Sequence, residues 1–176
     1  ISDKDIDENA VKNCELVFLE GYLWDEGEPK TAFNKAISIA KKTAMTLSDQ
    51  FCVERHKKSF FDLVNNKLDI TFANEQEILS LIDAKNFNEV ISFGKQLGKL
   101  FVITRSEKGS IAIQKNEVVK CDSQKNLKIV DLTGAGDLFA AGFLHGHINN
   151  LSIKESLQKG TEMASKIIQK IGARLN

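Results

Sequence analysis

The 176-residue sequence predicts an α/β sandwich, helices layered on a sheet. Short apolar runs alternate along the chain with stretches whose apolar residues recur at helical spacing. Nothing interrupts that alternation: there is one Pro, no internal repeat and no low-complexity linker, and the length suits a single domain. A small-residue turn, Gly134-Ala135-Gly136, also opens a strongly apolar helix, as strand-to-helix turns of α/β folds do where they meet ligands.

Taken in order, Asp5 to Lys12 reads as a helix and the apolar run Leu16 to Glu20 as a strand. A helix over Thr31 to Lys42 and a strand over Ala44 to Leu47 follow, then a helix over Arg55 to Asn65. The strand Asp69 to Phe72 leads into a helix at Glu75 to Leu81, and a further helix spans Phe87 to Leu97. Leu100 to Thr104 is a buried strand by its unbroken apolar run, and Ser110 to Gln114 with Glu117 to Lys120 forms a hairpin around Lys115-Asn116. Leu127 to Val130 reads as a short strand, and helices over Ala135 to Asn149 and Ile153 to Lys170 close the chain. The candidate motifs all fall at the carboxyl ends of strands, where such sheets collect ligands.

Composition narrows the function. With 24 basic and 24 acidic residues the formal net charge is zero, so no basic field for nucleic acid or an anionic membrane is expected. No apolar run approaches the ~20 residues that span a bilayer, and no secretory leader is visible, which suits a cytoplasmic enzyme. Cys14, Cys52 and Cys121 are scattered, lack a CxxC partner and read as reduced thiols rather than a disulfide or metal site. His145 and His147 lie two apart on a helix and point to different faces, against a metal pair, and His56 reads as a solvated helix start.

The chemistry concentrates at residues 131–142. At the start of the helix after Gly134 the first amide N–H groups have no intrahelical partner and the macrodipole presents partial positive charge, so an anion can rest against backbone alone. Gly134 and Gly136, without a Cβ, allow close approach. Asp137 would repel a merely bound phosphate, but it suits a general base that accepts the proton of an alcohol attacking a γ-phosphate. The alternative is that Asp137 only caps its helix. Likewise, Asn74 and Glu77 sit three apart after a strand, the spacing of a capping box.

Val130-Asp131-Leu132-Thr133-Gly134-Ala135-Gly136-Asp137 with Phe139, Ala141 and Gly142 resembles the carboxy-terminal signature of the ribokinase family, or PfkB-type carbohydrate kinases. Asn74-Glu75-Gln76-Glu77 resembles that family's Asn-x-x-Glu motif, Thr104 to Gly109 its Thr-x-Gly-x-x-Gly turn, and Ala164-Ser165 with Ile171-Gly172-Ala173 its closing helix and turn. Glu20 to Asp25 and Leu47 to His56 most resemble bacterial adenosine-kinase-like members. The resemblance implies a ribokinase-like three-layer α/β/α sandwich, Rossmann-like, of which residues 1–176 form the carboxy-terminal, nucleotide-binding side as a single domain. The amino-terminal part and the small β-sheet lid are then missing, as a chain that begins at Ile1 without an initiator Met also suggests.

By the same resemblance the chain is an ATP-dependent phosphotransferase acting on the primary hydroxyl of a nucleoside or sugar. Adenosine is the preferred acceptor, with ribokinase- or fructokinase-type sugars as alternatives. The resemblance makes Asp137 the base and Gly134, Ala135 and Gly136 the anion hole, and has Asn74 and Glu77 organise Mg²⁺ through its waters. Thr104, Ser106, Gly109 and Ser165, the last beside Ala164 and Ile168, would hold ATP, although Ser106 stands where the motif has Gly. Arg105 and Lys108 in the same turn read as solvated charges. Asp131 and Thr133 would bind a monovalent cation, K⁺, with carbonyls near Gly172-Ala173; ordinary turn chemistry is the alternative. Tyr22 and Trp24 either pack on the missing part or shape the acceptor pocket. A monomer and a homodimer both stay open, since the lost half of a sandwich would leave apolar surface to cover. Two other classes compete: a truncated, non-catalytic nucleotide-binding module, and a dinucleotide-binding oxidoreductase. Against the second, Phe139 stands where a G-x-G-x-x-G turn needs its last Gly.

Overall fold

In the computed structural model, which describes residues 1–25 and 28–175, six strands form one sheet in the order β1-β2-β3-β4-β5-β6. These are β1 (Val17–Glu20), β2 (Thr43–Thr46), β3 (Ile70–Asn74), β4 (Leu100–Thr104), β5 (Ser110–Gln114) and β6 (Glu117–Cys121). Helices α1 (Glu8–Asn13), α2 (Pro29–Ile39), α3 (Gln50–Asp62), α4 (Glu75–Leu81), α5 (Phe87–Leu97), α6 (Ala135–Ile148) and α7 (Ile153–Ile167) complete the α/β architecture. The chain separates into two compact units, one of residues 1–102 with 113–116 and one of residues 103–112 with 117–176.

In the first unit β1, β2 and β3 run parallel, with Val17 opposite Thr43 and Ala44 opposite Ile70. Parallel pairing needs crossover helices, which α2 and α3 supply. The pairing buries Ala44, Met45, Ile70, Thr71 and Phe72, matching the continuous apolar runs in the sequence. Trp24 is not left for a partner: it is 7% exposed and packs edge-on against Phe33 and Phe60, with ring centroids 5.0 and 5.9 Å away.

Helices α6 and α7 pack closely in the second unit because small residues line their contact. A Cβ on Gly142 would lie 2.6 Å from the Lys159 carbonyl oxygen, and one on Gly160 2.8 Å from that of Phe139. The apolar character of α6 therefore reflects burial against α7, with Phe139 and Phe143 both buried.

Several expected boundaries move. Leu127 to Val130 is not a strand: the N–H of Val130 donates to the Ile168 carbonyl at 2.8 Å, so the segment is tied to the end of α7, and Ile129 and Val130 are exposed. Helix α3 begins at Gln50 instead of Arg55, because the Asp49 carboxylate caps it by accepting the Cys52 N–H at 2.6 Å. It passes at Leu63–Lys67 into a π turn. Helix α2 starts at Pro29, a residue preorganised for a first turn, and stops at Ile39. His56 is consequently no solvated helix start; it sits within α3, its ring 2.6 Å from Asp25. Among the described residues no helix is long and apolar enough to cross a membrane.

Candidate active site

The chain enters α6 through Gly134 in the left-handed conformation, φ 77° and ψ 3°, where a side chain is strained and a Cβ would lie 2.9 Å from that of Ala173. Among the described residues no side chain caps this helix. The Ala135 N–H is taken by the Leu132 carbonyl at 3.1 Å and that of Leu138 by Gly134 at 2.9 Å. Between them, the N–H groups of Gly136 and Asp137 have no acceptor among the described residues. Around Gly136 an added Cβ would meet nothing within 4 Å. The Asp137 carboxylate is exposed and accepts no hydrogen bond among the described residues, so the reading of Asp137 as a mere cap finds no bond to rest on. The result is an open pair of amides at the positive end of a 14-residue helix, with a carboxylate beside it. That arrangement can hold an anion and accept a proton next to it.

Just upstream, Asp131 draws two distant segments together. Its Oδ1 accepts the Thr133 N–H at 2.9 Å and the Thr133 hydroxyl at 2.7 Å, while Oδ2 accepts the Gly172 N–H at 2.9 Å. The Gly172 N–H first, then the N–H and hydroxyl of Thr133, hold the Asp131 carboxyl down at about 2. It is thus a fixed anion at neutral pH. Its Oδ2 keeps one lone pair beyond the three donors, so the donor set fits a monovalent cation as well as ordinary turn chemistry.

Thr104 ends β4, and the turn after it closes through Arg105 N–H to Gly109 carbonyl at 2.8 Å and Gly109 N–H to Ser106 carbonyl at 3.0 Å. Ser106 has φ 51°, the left-handed form a Gly would adopt without strain, so the substitution leaves the turn geometry intact. Gly109 cannot be replaced so easily: with φ 81°, a Cβ there would fall 2.1 Å from the Cys121 carbonyl oxygen. Ser165 is 5% exposed on α7. Sequence reasoning passed over Ser110, which follows Gly109, is 4% exposed and has a hydroxyl without a partner among the described residues. A serine at a strand start carries no signature that would have marked it.

In the other unit, Asn74 and Glu77 form a capping box at the start of α4. The Asn74 side chain accepts the Glu77 N–H at 2.9 Å, and the Glu77 carboxylate accepts the Asn74 N–H at 2.9 Å and its side-chain amide. Glu77 is only 4% exposed. Burial pushes its carboxyl up to about 7, outweighing the Asn74 bonds, and the charge of Asp49 adds to the rise. A carboxylate so poised gains from a nearby cation, which fits an Mg²⁺-organising role.

The two segments resembling adenosine-kinase-like members also meet. The Tyr22 hydroxyl donates to Asp49 at 2.7 Å and the Ser48 hydroxyl to Glu20 at 2.8 Å, with Ser48 at φ 73°. Bonding to Asp49 drives the Tyr22 hydroxyl well above its ordinary value. Spacings of 27 and 28 residues hid these pairs from any local pattern.

The model of the pfkB family carbohydrate kinases matches residues 2–176. The adenosine kinase of Sinorhizobium meliloti superposes with a TM-score of 0.96 at 37% identity, covering 99% of this chain and 55% of that one. A ribokinase-type protein of E. coli, solved with ATP and Mg²⁺, shares the fold with a TM-score of 0.87 at 21% identity, covering 98% of this chain and 58% of its own. The cytidine kinase of Thermococcus kodakarensis is 34% identical over 109 residues, which are 61% of this chain and 39% of that protein. The chain thus spans little more than half the length of the solved relatives it matches, and less of the curated one.

Proposed function

The chain belongs to the pfkB family of carbohydrate kinases, and from that membership we propose that it carries the nucleotide side of an ATP-dependent kinase for the primary hydroxyl of a nucleoside, adenosine in the first place. The observation that carries this reading is the open start of α6: two unclaimed amides, no side-chain cap, clear space at Gly136 and an exposed Asp137 beside them. In the reaction Asp137 accepts the acceptor's hydroxyl proton as its oxygen attacks the γ-phosphorus, and ADP leaves. The amides of Gly136 and Asp137, with the helix dipole behind them, stabilise charge that builds on the transferred group. Asp131, by tying the loop before α6 to Gly172, fixes the shape of that anion hole. Mg²⁺, when bound with ATP, neutralises phosphate charge, and Asn74 and Glu77 would order its waters. Thr104, Ser106, Gly109 and Ser165 are the proposed nucleotide contacts, and Asp131 with Thr133 the proposed K⁺ loop.

The choice of adenosine is supported by the 37% identity to the S. meliloti adenosine kinase, while the cytidine kinase relative keeps other nucleosides in the panel. The test is phosphoryl transfer from ATP and Mg²⁺, by the complete protein, to adenosine, cytidine, ribose and fructose. Turnover of adenosine ahead of the others supports the reading. ATP binding with no acceptor phosphorylated would replace it with a non-catalytic nucleotide-binding module.

A further inference from the structure

A second constellation of reactive side chains lies in the first unit, next to the Tyr22–Asp49 pair. Asp25 follows the 3-10 turn Gly21–Trp24, and Cys52 and His56, four apart on α3, share a helix face. One oxygen, one sulfur and one ring nitrogen from these three residues all lie within 4.8 Å of one another. His56 Nε2 is 2.6 Å from Asp25 Oδ1, and Arg55 grips the same carboxylate, with Nη2 2.6 Å from Oδ2. Asp25, Arg55 and His56 alone would fasten the 3-10 turn to α3, and that clamp needs no sulfur. Yet the Cys52 thiol is fully buried against it and makes no hydrogen bond among the described residues. Helix α3 also leaves helical dihedrals at His56 itself, φ −116° and ψ 17°.

A soft sulfur, an imidazole and a carboxylate converging from a helix and a preceding turn are the ligand types that zinc accepts, whereas Mg²⁺ selects oxygen alone. Zinc bonds of about 2.0–2.3 Å set tetrahedral ligands roughly 3.3–3.7 Å apart. The widest separation here then closes by roughly 1 Å and the His56–Asp25 contact opens by a similar amount, changes that side-chain torsions can absorb. We propose that Asp25, Cys52 and His56 form a binding site for a divalent transition metal of the zinc class, with the remaining position open to water. Binding releases the Cys52 thiol proton to solvent and puts the His56 proton on Nδ1, so that Nε2 and the thiolate face the metal. Arg55 stays on Oδ2 and offsets part of the ligand charge. The ion would pin the Gly21–Trp24 turn to α3.

Titration of the protein with Co²⁺ alone, followed by absorption, tests this. The site predicts one equivalent bound, a thiolate-to-cobalt charge-transfer band with tetrahedral visible bands, and their loss on adding Zn²⁺. Cys52→Ser should abolish the charge-transfer band and His56→Gln should weaken binding at least about tenfold. Cys14→Ser and Cys121→Ser should leave the spectrum alone. Absence of the bands, their survival in Cys52→Ser, or their loss in either control would overturn the proposal. Should Cys52→Ser fail to fold, His56→Gln decides: unchanged bands and affinity there mean an adventitious ion only.

Discussion

Two helices of this chain begin in opposite states. At α4 the sequence closes its own terminus: Asn74 and Glu77 exchange hydrogen bonds, and the helix start is satisfied before any ligand arrives. At α6 no described residue closes it, and Gly134, Gly136 and Asp137 leave two amides and a carboxylate open. A side-chain cap contributes stability that this 14-residue helix forgoes, since any side chain at position 134 would meet Ala173 at φ 77°. The contrast separates a helix start closed by its own side chains from one whose amides stay open. The same opposition appears in the carboxylates nearby, since burial raises Glu77 while donated hydrogen bonds lower Asp131.

The largest stability effect that sharpens this contrast is expected at Gly134. Gly134→Ala places a Cβ at φ 77° against Ala173 and should cost about 1–3 kcal/mol in urea unfolding. A cost near zero would mean the turn is not held as described. Next comes Asn74→Ala, which opens the closed terminus and should cost about 0.5–2 kcal/mol. Gly136→Ala is the counterpart at the open terminus: stability should stay within about 0.5 kcal/mol, because the new methyl meets only solvent, while ATP turnover drops about tenfold or more. Equal stability losses in Asn74→Ala and Gly136→Ala would erase the distinction between the two turns.

Smaller effects follow from pH. Glu77 is raised on folding from 4.5 to about 7, so its contribution is fully present below pH 4.5 and is lost as pH rises through about 7. Asp131 is lowered from 3.8 to about 2, so its contribution is present above pH 3.8 and is lost as pH falls toward 2. Stability measured across pH should therefore lose its decline between about 4.5 and 7 in Glu77→Gln, and part of its acid decline in Asp131→Asn. Exchange of the two slopes between the variants would contradict the assignments.

Much of this was legible locally. Strand β4 announced itself by an unbroken apolar run, and the turn into α6 by small residues whose chemistry acts within four positions. What stayed hidden depends on distant partners. Leu127 to Val130 has strand-like residues, yet its backbone pairs with Ile168, and apolar Ile129 and Val130 end up exposed. The early start of α3, at Gln50 and not Arg55, comes from the cap at Asp49, which the apolar pattern alone does not show. Asp131 reaches Gly172 across 41 residues; the family resemblance pointed to that region, and no spacing rule could. Cys52, judged only by the absence of a neighbouring cysteine, gave no hint of Asp25 or His56: Asp25 comes from another segment, and His56 joins Cys52 on one helix only because α3 begins at Gln50.

The central claim is that the open start of α6 serves phosphoryl transfer, with Asp137 as base and not as cap. Turnover number and thermal stability of Asp137→Asn, measured side by side in the complete protein with its best acceptor, test it most directly. The account predicts that kcat falls about 10²–10⁴-fold while the melting temperature hardly moves. A kcat within a few-fold of the parent, with a clear loss of stability, would make Asp137 a structural residue and contradict the account.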